Sequence, residues 1–316
     1  MVRKLEKDEG IDISVVVPVY NEQENVKALS DEIKSVLESM TVSYEILFVD
    51  DGSTDSTVEI LESLPDIKVV KLKKNFGQSA AMQAGFDHAK GRLLVTMDGD
   101  MQDDPANIPA MIEEQEKGYD VICGWRHKRK DKLTKRMFSK MSNGLRKRLL
   151  GEEIHDSGCS LRVYKSDVAR NLKLQGEMHR YIPALLNWRG FKVGEVKVTH
   201  RKRGGGKTKY GAKRLVKGGL DLMFVTFWYR YSASPLHLFG TLGALLAVPG
   251  GIIGLWLGLE RILFNLPLET RPLFTLALIM IILGIQMFSL GVLAEYISRV
   301  YYATVAMKPY VIDEGM

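Results

Sequence analysis

The sequence predicts an α/β fold, a mainly parallel sheet with helices on both faces, followed by amphipathic interface helices and two transmembrane helices. Three observations carry that expectation. Short, near-continuous apolar runs alternate with helical patterns over the first 125 residues, as strands buried on both faces require. Acidic or polar clusters directly follow three of those runs. Two later segments, Leu238–Leu259 and Pro272–Ala294, are uncharged and long enough to cross about 30 Å of hydrocarbon.

The expected strands are Ile13–Val17, Glu45–Val49, Lys68–Leu72, Leu93–Thr96 and Asp120–Cys123. In open parallel sheets ligands bind beyond the carboxyl ends of the strands. Three polar strand ends fall there: Pro18-Val19-Tyr20-Asn21-Glu22, Asp50-Asp51-Gly52-Ser53, and the tract Met97-Asp98-Gly99-Asp100-Met101-Gln102-Asp103-Asp104. From Arg126 to Gly151 the chain turns basic, with Leu133, Met137, Phe138, Met141, Leu145 and Leu149 at roughly helical spacing. That pattern fits a helix lying on a membrane surface, and equally a solvated helix with a docked apolar stripe. Ala212–Tyr231 grows apolar and aromatic toward Phe224, Phe227, Trp228, Tyr229 and Tyr231, which suits the headgroup belt ahead of a span. The expected organisation is a globular domain over 1–211, a juxtamembrane helix over 212–232 and a membrane domain over 233–316, with spans at about 236–261 and 272–298.

The net charge of the 316-residue chain is +6. Its surplus sits in Arg126–Arg148 and Arg201–Lys217, stretches that suit anionic lipid or phosphate better than nucleic acid. The first residues lack an apolar signal core. Lys and Arg crowd the approach to the first span, whereas the Glu260–Arg271 link has two acids and two bases. The positive-inside rule then puts the globular domain and both termini in the cytoplasm. Two cysteines, Cys123 and Cys159, agree with a reducing compartment.

Asp98, Asp100 and Gln102 alternate, so an extended or turning backbone can aim their oxygens at one point. Hard divalent cations take oxygen ligands, and Mg²⁺ often combines one or two carboxylates with a substrate's phosphates. A calcium-binding EF-hand would need Gly where Asp103 stands and an acid where Pro109 stands. The bland alternative is an acidic turn in which Asp103, Asp104 and Pro105 cap the next helix. The Asp50–Asp51 pair exceeds what capping by Ser53–Asp55 needs; one carboxylate can accept from a base N–H while the other faces the sheet or a metal. No dinucleotide-binding glycine pattern follows a strand, and Gly204–Thr208 lacks the leading glycine of a phosphate loop.

Taken together, Pro18–Glu22, Val49–Ser53, Asp98–Gln102, Asp156-Ser157-Gly158-Cys159 and the run His200, Arg203, Gly206, Thr208, Lys209, Tyr210 resemble family 2 glycosyltransferases of the GT-A (Rossmann-like) fold. More narrowly they are similar to polyprenyl-phosphate (dolichol-phosphate) hexose synthases with two C-terminal transmembrane helices. The resemblance implies that Pro18, Tyr20, Glu22 and Asp51, with Asp98, hold the nucleotide sugar. It also implies that Asp98, Asp100 and Gln102 hold Mg²⁺ or Mn²⁺ and the diphosphate. Thr208 stands where the family usually has serine, and Arg201 and Lys202 are extra basic residues.

Charge directs the remaining assignments. The nucleophile would be a lipid phosphate, a dianion that needs no strong general base, so cationic side chains must bring two anions together. Arg126, Arg203 and Lys209 suit that clamp, with His200 orienting their loop. The expected catalytic set is Asp100, Asp156 and Arg126; Asp156 either lies near the reacting carbon or bonds its own turn. Cys159 reads as packing. Gly243, Gly250, Gly251, Gly254 and Gly258 would let the spans approach closely, and Glu295 would lie at the interface beyond the second. The expected activity is inverting transfer of a hexose from a UDP- or GDP-sugar, UDP-glucose first, to a polyprenyl phosphate, with a homo-oligomer left open. The alternatives are a GDP-mannose-dependent dolichyl-phosphate mannose synthase, a processive polysaccharide synthase, which would need a Q-x-x-R-W element that Gln175 and Trp188 do not form, and an inactive membrane scaffold.

Overall fold

The computed structural model describes residues 10–127, 154–174, 176–201, 223–227, 230–232, 234–268 and 271–304. The chain divides into two compact units, Met1–Leu222 and Met223–Met316.

Among the described residues the first unit holds a seven-stranded sheet. Its strands are β1 (Ile13–Val19), β2 (Tyr44–Asp50), β3 (Ile67–Lys71), β4 (Leu93–Thr96), β5 (Val121–Trp125), β6 (Arg162–Lys165) and β7 (Val193–Lys197), in the order β3-β2-β1-β4-β6-β5-β7. Every pairing is parallel except those of β6, which runs antiparallel to β4 and β5. The helices are α1 (Val26–Ser39), α2 (Thr57–Ser63), α3 (Gln78–His88), α4 (Ile108–Gln115), α5 (Ser166–Arg170) and α6 (Ile182–Trp188).

The apolar runs are continuous because alternate residues feed opposite faces of the sheet. Val15, Val17, Ile46, Phe48 and Val95 pack with Leu29, Ile33 and Leu37 of α1 and Met111 of α4. Val16, Leu47, Val49 and Leu94 pack the other way, with Met82 and Phe86 of α3 and with Ile182 and Leu186 of α6. Each such side chain, once fully buried, contributes roughly 1.5–3 kcal/mol. After β1 the chain steps outward through β2 and β3, then returns to place β4 on the other flank of β1. The reversal leaves a crevice at the carboxyl ends of β1 and β4, and residues 97–104 enter it directly from β4.

At the opposite end of the strands Glu45 is buried at 5% exposure. One of its oxygens accepts from the Ser14 hydroxyl and, at 2.6 Å, from the Lys90 N–H; the other accepts from Lys68 Nζ at 2.7 Å. Burial pushes its pKa up, but the bonds from Lys68, Ser14 and Lys90 outweigh it and hold the group below the usual carboxylate range. The carboxylate thus ties β1, β2, β3 and the turn before β4 together.

The second unit contains α7 (Pro235–Phe264) and α8 (Pro272–Thr304), both long and apolar enough to cross a membrane. A methyl on Gly243 would fall 2.7 Å from the Gly284 carbonyl oxygen, and one on Gly284 would fall 2.7 Å from that of Gly243. Gly250 meets the Ala277 carbonyl oxygen in the same way, at 2.9 Å. The expectation of a wider glycine seam is corrected in part: Gly251 and Gly258 have nothing within 4 Å and Gly254 only reaches Ile281. Gly251 and Gly258 are turned away from the Gly243–Gly250 stripe, whereas Gly254 shares that stripe but makes only the longer contact with Ile281. Glu295 lies within α8 and accepts from Arg299 Nη2 at 3.1 Å. The basic stretch 128–150, and 212–222 of the juxtamembrane segment, lie outside the described residues.

Replacing Glu45 by alanine should lower stability at pH 7 by about 2–4 kcal/mol, since buried donors lose a charged acceptor. A group whose folded pKa is depressed stabilises above its unfolded pKa and loses that contribution as pH falls through the folded value. The gap in thermal midpoint between wild type and Glu45→Ala should therefore close below about pH 4, which thermal denaturation across pH measures.

Candidate active site

The three strand-end loops are fastened to one another. Asn21, in a left-handed conformation (φ 55°), accepts from the Thr54 N–H at 2.8 Å and donates its own N–H to Ser53 Oγ at 2.9 Å. Glu22 N–H donates to Thr57 Oγ1 at 2.9 Å, and the Glu22 carboxylate accepts from Asn25. Pro18 is half-buried at the strand end, whereas the Tyr20 ring is exposed on the rim.

The Asp50–Asp51 pair divides its work. Asp50 accepts from the N–H groups of Gly52 and Ser53, closing its own turn. Asp51 accepts from Phe76 N–H at 2.7 Å and Gly77 N–H at 2.9 Å, so both its oxygens grip the loop before α3. Each oxygen keeps a second lone pair for a ligand. Gly52 (φ +73°) is required here, because a methyl would lie 2.5 Å from the Lys74 carbonyl carbon.

The acidic tract turns sharply where it leaves β4. Gly99 passes so close to β1 that a methyl would sit 2.7 Å from Val19 Cγ1, and Met101 adopts φ 62°. Asp98 accepts from Gln78 Nε2 at 2.7 Å, and Asp100 accepts from the Gln102 N–H at 3.1 Å. Asp103, read from sequence as a cap, is instead a buried hub at 3% exposure. It accepts from Ser160 Oγ at 2.6 Å and from the Asp98 N–H at 3.4 Å, with His200 Nδ1 3.7 Å away. Capping falls to Asp104, which accepts from the Ala106 N–H. A backbone bridge between Asp103 and His200, and the Arg201 N–H donating to the Gln102 carbonyl at 2.8 Å, fix the segment after β7 against the tract. His200 therefore faces Asp103.

Three carboxylates in one partly buried corner repel one another. Burial, then the charges of Asp103 and Asp100, push the Asp98 pKa up to about 7. Asp103 goes down: burial opposes it, but the nearby His200 ring and the bond from Ser160 prevail. Negative charge crowded in this way is what a hard cation relieves. Among the described residues no three His, Cys, Asp or Glu side chains already converge as a closed metal cage. A site that borrows phosphate oxygens needs fewer protein ligands, so the oxygen donors of Asp98, Asp100 and Gln102 fit a divalent cation.

Asp156 and Arg126, picked out separately in the sequence, form one bidentate pair. Arg126 Nε donates to Asp156 at 2.6 Å and Nη2 at 2.8 Å, with both side chains largely buried. The Arg126 charge is thus oriented by a carboxylate rather than standing alone. Cys159, fully buried, has its thiol pushed up to about 12, by burial first and then by Asp103; that excludes a thiolate nucleophile near neutrality. Arg203 and Lys209 lie outside the described residues.

Sequence reading missed several participants. Gln78 and Ser79 open α3; Ser79 Oγ lies 2.8 Å from His179 Nδ1. Arg162, 2% exposed, donates to the carbonyls of Ser157 (2.7 Å) and His179 (3.0 Å), joining two segments beside the site. The run Glu177–Tyr181 carries no familiar spacing, and a polar residue on a central strand gives no signal until its partners are known.

A doubly wound sheet with an acidic loop at its switch point, backed by this carboxylate cluster, defines a GT-A-type sugar-nucleotide transferase domain. The chain matches the sequence family Glycosyl transferase family 2 over residues 14–173, and it belongs to that family. It is 40% identical over 97% of its length to dodecaprenyl-phosphate galacturonate synthase from Rhizobium johnstonii, covering 93% of that protein. It is 36% identical over 95% of its length to undecaprenyl-phosphate 4-deoxy-4-formamido-L-arabinose transferase from Edwardsiella ictaluri, again covering 93% of the relative. Its fold is similar to that of glucosyl-3-phosphoglycerate synthase from Mycobacterium tuberculosis solved with Mn²⁺ and UDP-glucose. That likeness has a TM-score of 0.54 at 18% identity and covers 69% of this chain and 79% of that one.

The raised Asp98 pKa gives a signed expectation. A folded pKa above the unfolded value means that stability falls as pH rises from about 4 to 7, because the native carboxyl must give up a proton unfavourably. Without divalent cation, Asp98→Asn should melt above wild type at pH 8. Mn²⁺ should raise the wild-type midpoint more at pH 8 than at pH 6, and should leave Asp98→Asn unmoved.

Proposed function

We propose that the chain is an inverting glycosyltransferase that moves a sugar from a nucleotide sugar to a polyprenyl phosphate at the cytoplasmic face of a membrane. The observation that carries this is the crowded Asp98, Asp100 and Asp103 corner at the sheet's switch point, in a chain that also has two membrane-length helices. Relatives named for polyprenyl-phosphate sugar transfer, matched over nearly their whole length, support the lipid acceptor. The excess of Lys and Arg ahead of α7 supports the cytoplasmic orientation.

Pro18, Tyr20, Glu22 and Asp51 receive the nucleotide, their loops held rigid by the fastenings at the rim. Asp98, Asp100 and Gln102 hold Mg²⁺ or Mn²⁺, which when bound would neutralise charge on a departing diphosphate. The lipid phosphate attacks as a dianion, with a second pKa near 6, so the protein's task is to offset repulsion between anions. Arg126, oriented by Asp156, does this beside the acidic corner, joined by Arg203 and Lys209. His200, anchored at Asp103, places their segment. No covalent sugar–enzyme bond is needed, and a single displacement inverts the anomeric centre.

For the donor, UDP-glucose is the first reading and GDP-mannose its alternative. The 40% identity to a galacturonate synthase favours UDP-galacturonate as a second reading.

Purified protein given polyprenyl phosphate and radiolabelled UDP-glucose, UDP-galacturonate or GDP-mannose should carry label into the organic phase with one donor. No transfer from any of them, nor from a UDP-linked formamido-arabinose, would overturn the reading. Asp100→Ala should lose at least about 100-fold in turnover while keeping the wild-type thermal midpoint to within a few degrees; an active Asp100→Ala would remove Asp100 from the site.

A further inference from the structure

We propose that Glu195, working with the Trp125 ring, is a positioning residue for the acceptor phosphate, aiming Arg126 through the His155–Asp156 turn. Glu195 lies on β7 directly beside Cys123 of β5 in the parallel register. One of its oxygens accepts from the N–H groups of His155 (2.6 Å) and Asp156 (3.2 Å), and the other meets His155 Nδ1 at 2.8 Å. A single carboxylate on the edge strand thus holds the turn that presents Asp156. Asp156 in turn holds Arg126 by Nε and Nη2, and accepts from the Arg126 N–H at 3.4 Å.

The indole of Trp125 closes the arrangement from the β5 side. The His155 ring stacks on it at 4.4 Å and 15°, His127 meets it edge-on at 4.9 Å, and Lys197 Nζ lies 5.4 Å from its centroid. Arg126 is therefore bracketed by two residues, 125 and 127, whose rings are in contact, and faced by a turn clamped from β7. A guanidinium meant only to neutralise Asp156 needs none of this. One that must meet a phosphate at a fixed angle needs its carboxylate held still, because orienting a charged ligand-binding group is the work of the groups behind it.

The inference rests on the transferase reading and adds that Glu195 governs the acceptor, not the donor. The experiment uses the full chain in detergent micelles. It measures the affinity for polyprenyl phosphate by thermophoresis and, separately, the KM for donor and for acceptor in the transfer assay. Glu195→Ala should weaken polyprenyl-phosphate binding and raise acceptor KM by about tenfold or more, with donor KM within about twofold of wild type. Glu195→Gln, which still offers an oxygen to the two N–H groups, should recover most of the loss and guards against misfolding of the alanine variant. In an Arg126→Ala background Glu195→Ala should add almost nothing, since its effect passes through Arg126. Independent, multiplying effects would overturn the proposal, as would equal rises in both KM values or an unchanged acceptor KM. Wild-type protein that transfers sugar while Glu195→Ala matches it would remove this inference alone; wild-type protein that neither binds the lipid phosphate nor transfers label would remove both.

Discussion

Carboxylates packed against carboxylates are the constraint on which the rest of the molecule depends. Asp98, Asp100 and Asp103 share a corner into which the sheet delivers them, and burial, reinforced by the charges of Asp103 and Asp100, pushes the Asp98 pKa up to about 7. A fold tolerates that only if the surroundings resist relaxation. Gly99 passes under Val19, Gln78 holds Asp98 from α3, and Ser160 and His200 secure Asp103. The corner is thus tied to β1, to α3 and to the segment after β7, and its crowded negative charge fits a divalent cation.

That rigidity spreads around the rim by hydrogen bonds between loops rather than within them. The β1 and β2 loops are zipped through Asn21 and Ser53, and Asp51 carries the connection on to the loop before α3. On the other flank, Arg162 and Glu195 fasten the turn bearing Asp156 from two sides, one from the central strand β6 and one from the edge strand β7. Both flanks of the rim are thus fastened by bonds between loops, while the apolar faces beneath them supply the folding energy.

Five strands and both long helices were legible in the sequence because each is written in contiguous apolar residues. β6 and β7 were not. Arg162-Val163-Tyr164-Lys165 and Val193-Gly194-Glu195-Val196-Lys197 are short and charged, and the charged groups that hide them, buried Arg162 and half-buried Glu195, are bonded by partners distant in sequence. The place of the acidic tract at the end of β4 was readable, yet Asp103 passed for a helix cap because local spacing cannot separate a capping carboxylate from a buried one. Arg126 and Asp156 were each singled out, but 30 residues separate them and only the fold makes them a pair. Asp51 illustrates the reverse: its position at the rim was legible, its grip on the Phe76–Gly77 backbone was not.

The mutual approach of Gly243 and Gly284 has a practical meaning for protein engineering. Each backbone occupies the space the other's side chain would need, so α7 and α8 form an interlocked couple whose register neither can change alone. A chimera built to retarget the catalytic unit to a bilayer of another thickness must therefore import both helices from the same donor protein. Swapping one would set a foreign methyl against a carbonyl and prise the couple apart.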